Sequence, residues 1–280
     1  MRHRAVSLVD GSLDLLTLPD VFLKVKDVVE DPDTTARDLA RVISADPATT
    51  ARILKLVNSA FWGFSGRIES VSRAVSLLGM FQVHDLVLAT AVATTFQRID
   101  PAKVDVAAFW RGSVYRGLAA AALARAGALV DVGRVFTEGL LSDIGHMVLF
   151  RKVPGPVVAA MGRAAAQPWT LAAIERKMIG CDHAEVGGAL ADAWRLPACF
   201  GIAIRQQIAP GAAGAHGLEA SLLHIGAMLA HGLSDERLAA ACVAQIDPAA
   251  WEISGLTPEC LPAVRAEVAA NLSATEQLFR

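Results

Sequence analysis

Apolar residues recur every three or four positions along nearly all of this chain, and strict apolar–polar alternation is hard to find. A helix lines one face with residues at i, i+3, i+4 and i+7, whereas a half-buried strand needs a period of two. The pattern therefore predicts an all-α protein. Abundant Ala and a single Tyr point the same way, since sheets favour aromatic and β-branched residues. With 280 residues, 54% of them hydrophobic, the chain can bury a large core.

Start and stop signals mark the helices. "DPDTTARDLARVIS" offers Asp33 or Thr34 as an N-cap, then places Leu39, Val42 and Ile43 on one face. In "ADPATTARILKLVNSAFWG" Asp46 caps and Pro47 takes the first helical position, followed by a stripe of Ile53, Leu54, Val57 and Phe61. "SVSRAVSLLGM" starts at Ser70 and stops at Gly79. A longer helix then runs to about Pro101. Further helices are expected near 104–126, 133–151, 154–166, 170–179, 182–194, 197–208, 217–232, 236–245 and 258–278, with gaps at "VPGP", "AQPW", "APGAAGAHG" and "DPAAW". The expected plan is a smaller N-terminal helical lobe, 1–100, and a helical core, 101–280.

Composition excludes several functions. A formal net charge of −2 with scattered Lys and Arg gives no general pull toward nucleic acid. The short helices near 34–60 could mimic a helix-turn-helix, but the second carries only Arg52 and Lys55 as cations, too few phosphate contacts for DNA binding. Cys181, Cys199, Cys242 and Cys260 form no C-x-x-C pair. No apolar run reaches the ~20 residues a bilayer needs, and no signal peptide is evident, so a cytoplasmic protein without membrane contact is expected. P-loop and nucleophile-elbow motifs are also missing.

One stretch raises a chemical question. "FTEGLLSDIGHMVLF" reads as a helix that carries the carboxylate of Asp143 into an apolar stretch, about one turn and a half after Glu138. A buried carboxylate costs several kcal/mol unless it is partnered. Around it run Leu18–Pro19, Asp46–Pro47, "ARILKLVNSAFWG", "SVSRAVSLLGMFQVHDLVLA", "FWRGSVYRGLAAAALA", "EGLLSDIGHMVLF", "CDHAEVGGALADAWRLP" and "LLHIGAMLAHGL", in order over roughly 13–275. By these marks the chain resembles the HDOD family, a degenerate relative of the HD phosphohydrolases.

The resemblance implies an HD-like helical bundle acting in bacterial signalling. It also implies where an HD hydrolase would hold its metal, which needs three or more ligands. Those positions fall here on Gly112, Ser142, Asp143, His183, Gln206, Gln207 and Ala227. Only Asp143 and His183 are good ligands. No metal, no other cofactor and no catalytic residue is therefore expected. Asp143 is expected to be a buried remnant that accepts from Ser142, from backbone N–H groups or from a protonated His183.

Other candidates have plainer readings. His84–Asp85 lies in the N-terminal lobe and reads as a helix-surface pair. His224 and His231, seven apart, read as surface or core-edge residues, and Trp110 and Trp194 as core. His146 shares Asp143's helical face or points to solvent. Phe61, Trp62 and Phe64 form either a hinge between lobes or a partner-binding patch. The expected function is a non-catalytic signalling module acting through protein–protein contacts. The alternatives are a sensor that binds a nucleotide or cyclic dinucleotide in the vacated pocket, and a metal-dependent phosphohydrolase.

Overall fold

Helices account for all the regular structure among the described residues of the computed structural model, and no strand occurs there. The described residues are 3–10, 17–96, 105–127, 131–233 and 235–277. In chain order the helices are α1 (Ala5–Asp10), α2 (Asp20–Glu30), α3 (Ala36–Ser44), α4 (Pro47–Val57), α5 (Val71–Leu78) and α6 (Met80–Phe96). Then follow α7 (Val106–Ala126), α8 (Val132–Leu141), α9 (Gly145–Lys152), α10 (Pro154–Ala164), α11 (Leu171–Met178) and α12 (His183–Ala193). The last are α13 (Ala198–Gln206), α14 (Gly217–His231), α15 (Glu236–Val243), α16 (Pro248–Ser254) and α17 (Leu261–Glu276).

The chain divides into two units. The larger combines Met1–Leu15 with Ile99–Val268, and the smaller combines Leu16–Arg98 with Ala269–Arg280. Compared with the halves 1–100 and 101–280 drawn from the sequence, the first residues go with the larger unit and the last with the smaller. Among the described residues no single helix is long and apolar enough to cross a membrane.

In the smaller unit the caps work largely as the sequence suggests. Asp46 accepts from the Thr49 N–H, and Pro47 opens α4. Ser70 caps α5, and Gly79, at φ 84°, ends it. The cap of α3 is Thr35, not Asp33 or Thr34. Thr35 closes a capping box with Asp38, whose carboxylate accepts from the Thr35 N–H at 3.0 Å. α3 packs on α2, α4 and α5, and α6 packs on α2, α4 and α5, around Phe22, Leu39, Ile43, Ile53 and Leu86. Asn58 holds the loop after α4: its amide donates to the Ile68 carbonyl at 2.8 Å and accepts from the Ile68 N–H at 2.7 Å.

That loop changes the reading of the aromatic cluster. Phe61 is buried, with Trp62 edge-on at 5.1 Å, so Phe61 is a core residue and not an exposed anchor. Trp62 and Phe64 remain half-buried. His84 and Asp85 are corrected as well. Both are buried, His84 Nδ1 lies 2.9 Å from Asp85 Oδ1, and the His84 ring packs against Phe22. Trp110 is core as expected, whereas Trp194 ends α12 half-buried.

In the larger unit α7 packs against α8 and α14, and α12 against α9 and α13. Two close approaches set this geometry. A Cβ on Gly117 would lie 2.8 Å from the Phe136 carbonyl, and one on Gly139 would lie 2.9 Å from the Arg116 carbonyl. Only backbone fits where α7 crosses α8. The second approach is tighter: a Cβ on Gly145 would lie 1.9 Å from the His183 carbonyl and 2.6 Å from the Gly187 nitrogen. The first turn of α9 is thus pressed onto the first turn of α12. The helix expected over 133–151 breaks after Leu141 and restarts at Gly145, and Asp143 sits in the turn between them. α16, read from sequence as the gap "DPAAW", is a helix capped by Asp247 with Pro248 in its first turn.

Candidate functional site: a closed ion network

The contact of α9 with α12 brings two imidazoles together. His146, one residue past Gly145, and His183, at the start of α12, stack at 4.3 Å with planes 15° apart. Both face Glu175 on α11, which is wholly buried. Glu175 Oε1 lies 2.8 Å from His146 Nε2, and Oε2 lies 2.7 Å from His183 Nδ1. The same Oε2 accepts the His183 backbone N–H at 3.0 Å. On its other side His146 Nδ1 lies 2.8 Å from Asp143 Oδ1. Arg116, from α7, places Nη2 3.6 Å from that same Asp143 oxygen.

The charges follow from these contacts. Burial disfavours the His146 cation, but Asp143 and Glu175 outweigh it and raise its pKa to about 10. His146 is therefore an imidazolium that donates from both nitrogens. Burial likewise opposes ionisation of Asp143, yet Arg116, His146 and His183 hold its carboxyl well below the usual carboxylate range. Glu175 is depressed in the same way, against burial, by His183 and His146. The carboxylate singled out in the sequence is half-buried, its side chain 15% exposed, and is partnered by His146 and Arg116. His183 Nε2 stands 4.0 Å from it, and the Ser142 hydroxyl donates instead to the Gly139 carbonyl at 2.8 Å.

HD hydrolases, which this chain resembles, hold a metal at this place, so the fit of the residues matters. Atoms of His146, Glu175 and His183 all lie within 4.8 Å of one another, close enough by distance for one ion. Their chemistry does not fit. Both nitrogens of His146 already face carboxylates, Asp143 and Glu175, at 2.8 Å, and both oxygens of Glu175 face imidazole nitrogens. Two rings stacked in parallel point side by side at a carboxylate and do not converge on a single centre as tetrahedral ligation requires. Arg116 adds a fixed positive charge next to Asp143 that would repel a cation.

The remaining sequence-derived positions scatter. Gly112 sits one turn before Arg116, and a Cβ there would meet nothing within 4 Å. Ser142 is buried, and its carbonyl accepts from Gln207 Nε2 at 2.6 Å. Gln207, His183 and Ala227 line a pocket beside the network; Gln206 does not. His224 and His231 share that pocket. His224 is a buried strut, not a surface residue: Nδ1 lies 2.8 Å from the Gln207 carbonyl, and Nε2 accepts the Asp247 N–H at 3.0 Å. Burial lowers its pKa and keeps it neutral. Burial, with Arg116 adding to it, lowers His231 to about 3.

Glu175 and Arg116 are the residues that sequence reasoning missed. Each had a signal. Glu175 falls on the apolar face of α11 with Leu171 and Ala172, and Arg116 is a lone cation in the buried middle of α7.

Comparison with known proteins places this geometry. The HDOD domain matches residues 15–210. An uncharacterized protein of Treponema pallidum (strain Nichols) is 29% identical over 194 residues, which is 69% of this chain and 37% of that protein. The chain thus spans little more than a third of that relative's length. A suspected phosphohydrolase from Shewanella amazonensis SB2B superimposes with a TM-score of 0.74 at 24% identity, covering 99% of each chain. An HDOD domain protein of unknown function from Geobacter sulfurreducens gives 0.64 at 19% identity, over 94% of this chain and 97% of that one. A suspected signal transduction protein from Marinobacter aquaeolei VT8 gives 0.70 at 23%, over all of this chain and 62% of that one. These likenesses establish the HD-like helical fold. The length of the domain match settles the affiliation: this chain belongs to the HDOD domain family.

Proposed function

We propose that the chain is a regulatory module that passes a signal by binding another protein, and that it hydrolyses no phosphate ester. The observation that carries this reading is His146 held 2.8 Å from Asp143 on one nitrogen and 2.8 Å from Glu175 on the other, with Arg116 alongside. A hydrolytic HD site needs ligand lone pairs and an open coordination position to activate water. Here each ring nitrogen of His146 is paired to a carboxylate and a guanidinium stands beside Asp143, which supports a rigid hub over a metal centre. Family membership and an HD-like fold support a regulatory role for a protein working in a bacterial cytoplasm.

The hydrolytic half is tested by incubating the full chain with bis(p-nitrophenyl) phosphate and added Mn²⁺, Fe²⁺ or Zn²⁺. The wild type and Asp143→Ala should give the same background. Metal-dependent turnover lost in Asp143→Ala would overturn the reading. The binding half is tested by cross-linked capture from the native host. We assign the contact to half-buried Trp62 and Phe64, so a specific partner should be recovered by the wild type and lost with Trp62→Ala. Equal recovery with that variant would place the contact elsewhere and contradict the assignment.

A further inference from the structure

Beside the ion network lies a pocket of about 330 Å³ in the larger unit. Its walls include Trp169, Leu171 and Met228, and its polar lining includes Arg116, His183, Gln207 and His231. The unusual member is Arg116. Its side chain is only 8% exposed, and its ion-pair contact with Asp143, at 3.6 Å, is too long for a hydrogen bond. Among the described residues the guanidinium makes no hydrogen bond. A guanidinium has five N–H donors, and one ion pair to Asp143 leaves donor capacity facing the pocket. An orphaned acceptor also lines the pocket: Gln207 Oε1 is buried without a partner, while the same side chain's Nε2 donates to the Ser142 and Ile204 carbonyls.

We propose that this pocket is a ligand site for a small organic oxyanion, a phosphate or a carboxylate, with its oxygens on Arg116 and its carbon body against Trp169. A planar, donor-only fork is suited to two oxygens of one group. The half-buried Trp169 ring and the Met228 side chain give an apolar wall that a bare inorganic ion would not use. Gln207 Oε1 can accept from a hydroxyl or amine on the ligand. The volume lies at the lower end of the range for small-molecule sites, which suits a ligand of mononucleotide size or less. The inference is independent of partner binding: an empty pocket would leave the regulatory reading standing, and metal-dependent turnover would refute that reading without touching this one.

Calorimetric titration of the full chain with phenyl phosphate, benzoate and inorganic phosphate tests the proposal. At least one of the two ring-bearing probes should saturate and bind about tenfold or more tightly than inorganic phosphate. Which of the two binds tells phosphate from carboxylate. Ala227→Leu narrows the pocket without touching the network and should weaken binding about tenfold, with an unchanged thermal melt. Arg116→Lys keeps the charge beside Asp143 but loses the fork, and should weaken binding as well. The proposal is overturned by any of three results: no saturation by either ring-bearing probe at about 10 mM, inorganic phosphate binding as tightly as both, or wild-type affinity in the two variants.

Discussion

Replacing Glu175 with glutamine leaves its volume almost unchanged and removes one buried charge. In the native chain this carboxylate accepts from His146 Nε2, His183 Nδ1 and the His183 backbone N–H. An amide keeps one acceptor oxygen and turns an NH₂ group toward a nitrogen that already carries a proton. At least one charge-assisted bond is lost, about 1.5–3 kcal/mol. The His146 cation also keeps only Asp143 to balance it, and removing one partner from a buried pair typically costs ~3–5 kcal/mol. Urea denaturation at pH 7 should therefore show Glu175→Gln destabilised by about 3–5 kcal/mol.

The pH dependence gives an independent check. His146 has a folded pKa of about 10, above its unfolded value. Its contribution is complete below the unfolded pKa near 6.5 and is lost as pH rises through about 10. The wild type should lose stability at up to about 1.4 kcal/mol per pH unit between roughly pH 7 and 8.5, before unfolded thiols titrate strongly. Glu175→Gln should show a shallower slope, because one of the two charges that hold the proton is gone. A loss below about 1 kcal/mol at pH 7, or a flat wild-type profile over that interval, would refute the ionised network.

Gly145→Ala should destabilise by more than the ~1–3 kcal/mol usual for overpacking, since its Cβ would meet the backbone of α12, and near-ultraviolet circular dichroism should show lost packing. A variant as stable as the wild type would mean that α9 and α12 do not touch there. His224 has a folded pKa below its unfolded value, so the stability it supplies is present above about pH 6.5 and fades as pH falls toward the folded pKa. His231, lowered to about 3, adds to the same decline. His224→Gln should therefore be less stable at pH 7 and fall less steeply between about pH 6.5 and 4.5; an unchanged slope would remove His224 from the account.

The helices and most caps were legible in the sequence because their signals are local. Asp46–Pro47, Ser70 and Gly79 act within one turn of the element they bound. The break between α8 and α9 was not legible. "LLSDIGH" keeps helical apolar spacing, and the close approach of the α12 backbone to Gly145 that accompanies the break is a contact distant in sequence. The site shows the same division. Asp143 and His183 stood out by their place in the HDOD motifs, and the loss of metal ligands at Gly112 and Ala227 could be counted directly. His146 could not be oriented without the break, and Glu175 lies outside the HDOD motifs that mark the site. Trp194 and the His84–Asp85 pair were misplaced because burial depends on which helices meet.

Metal content measured by mass spectrometry on the purified full chain, expressed in medium supplemented with iron, manganese and zinc, bears most directly on the ion network. Protons and the Arg116 guanidinium should leave each metal far below one equivalent, and His183→Ala should change nothing. One equivalent of a single metal, lost in His183→Ala, would contradict the account.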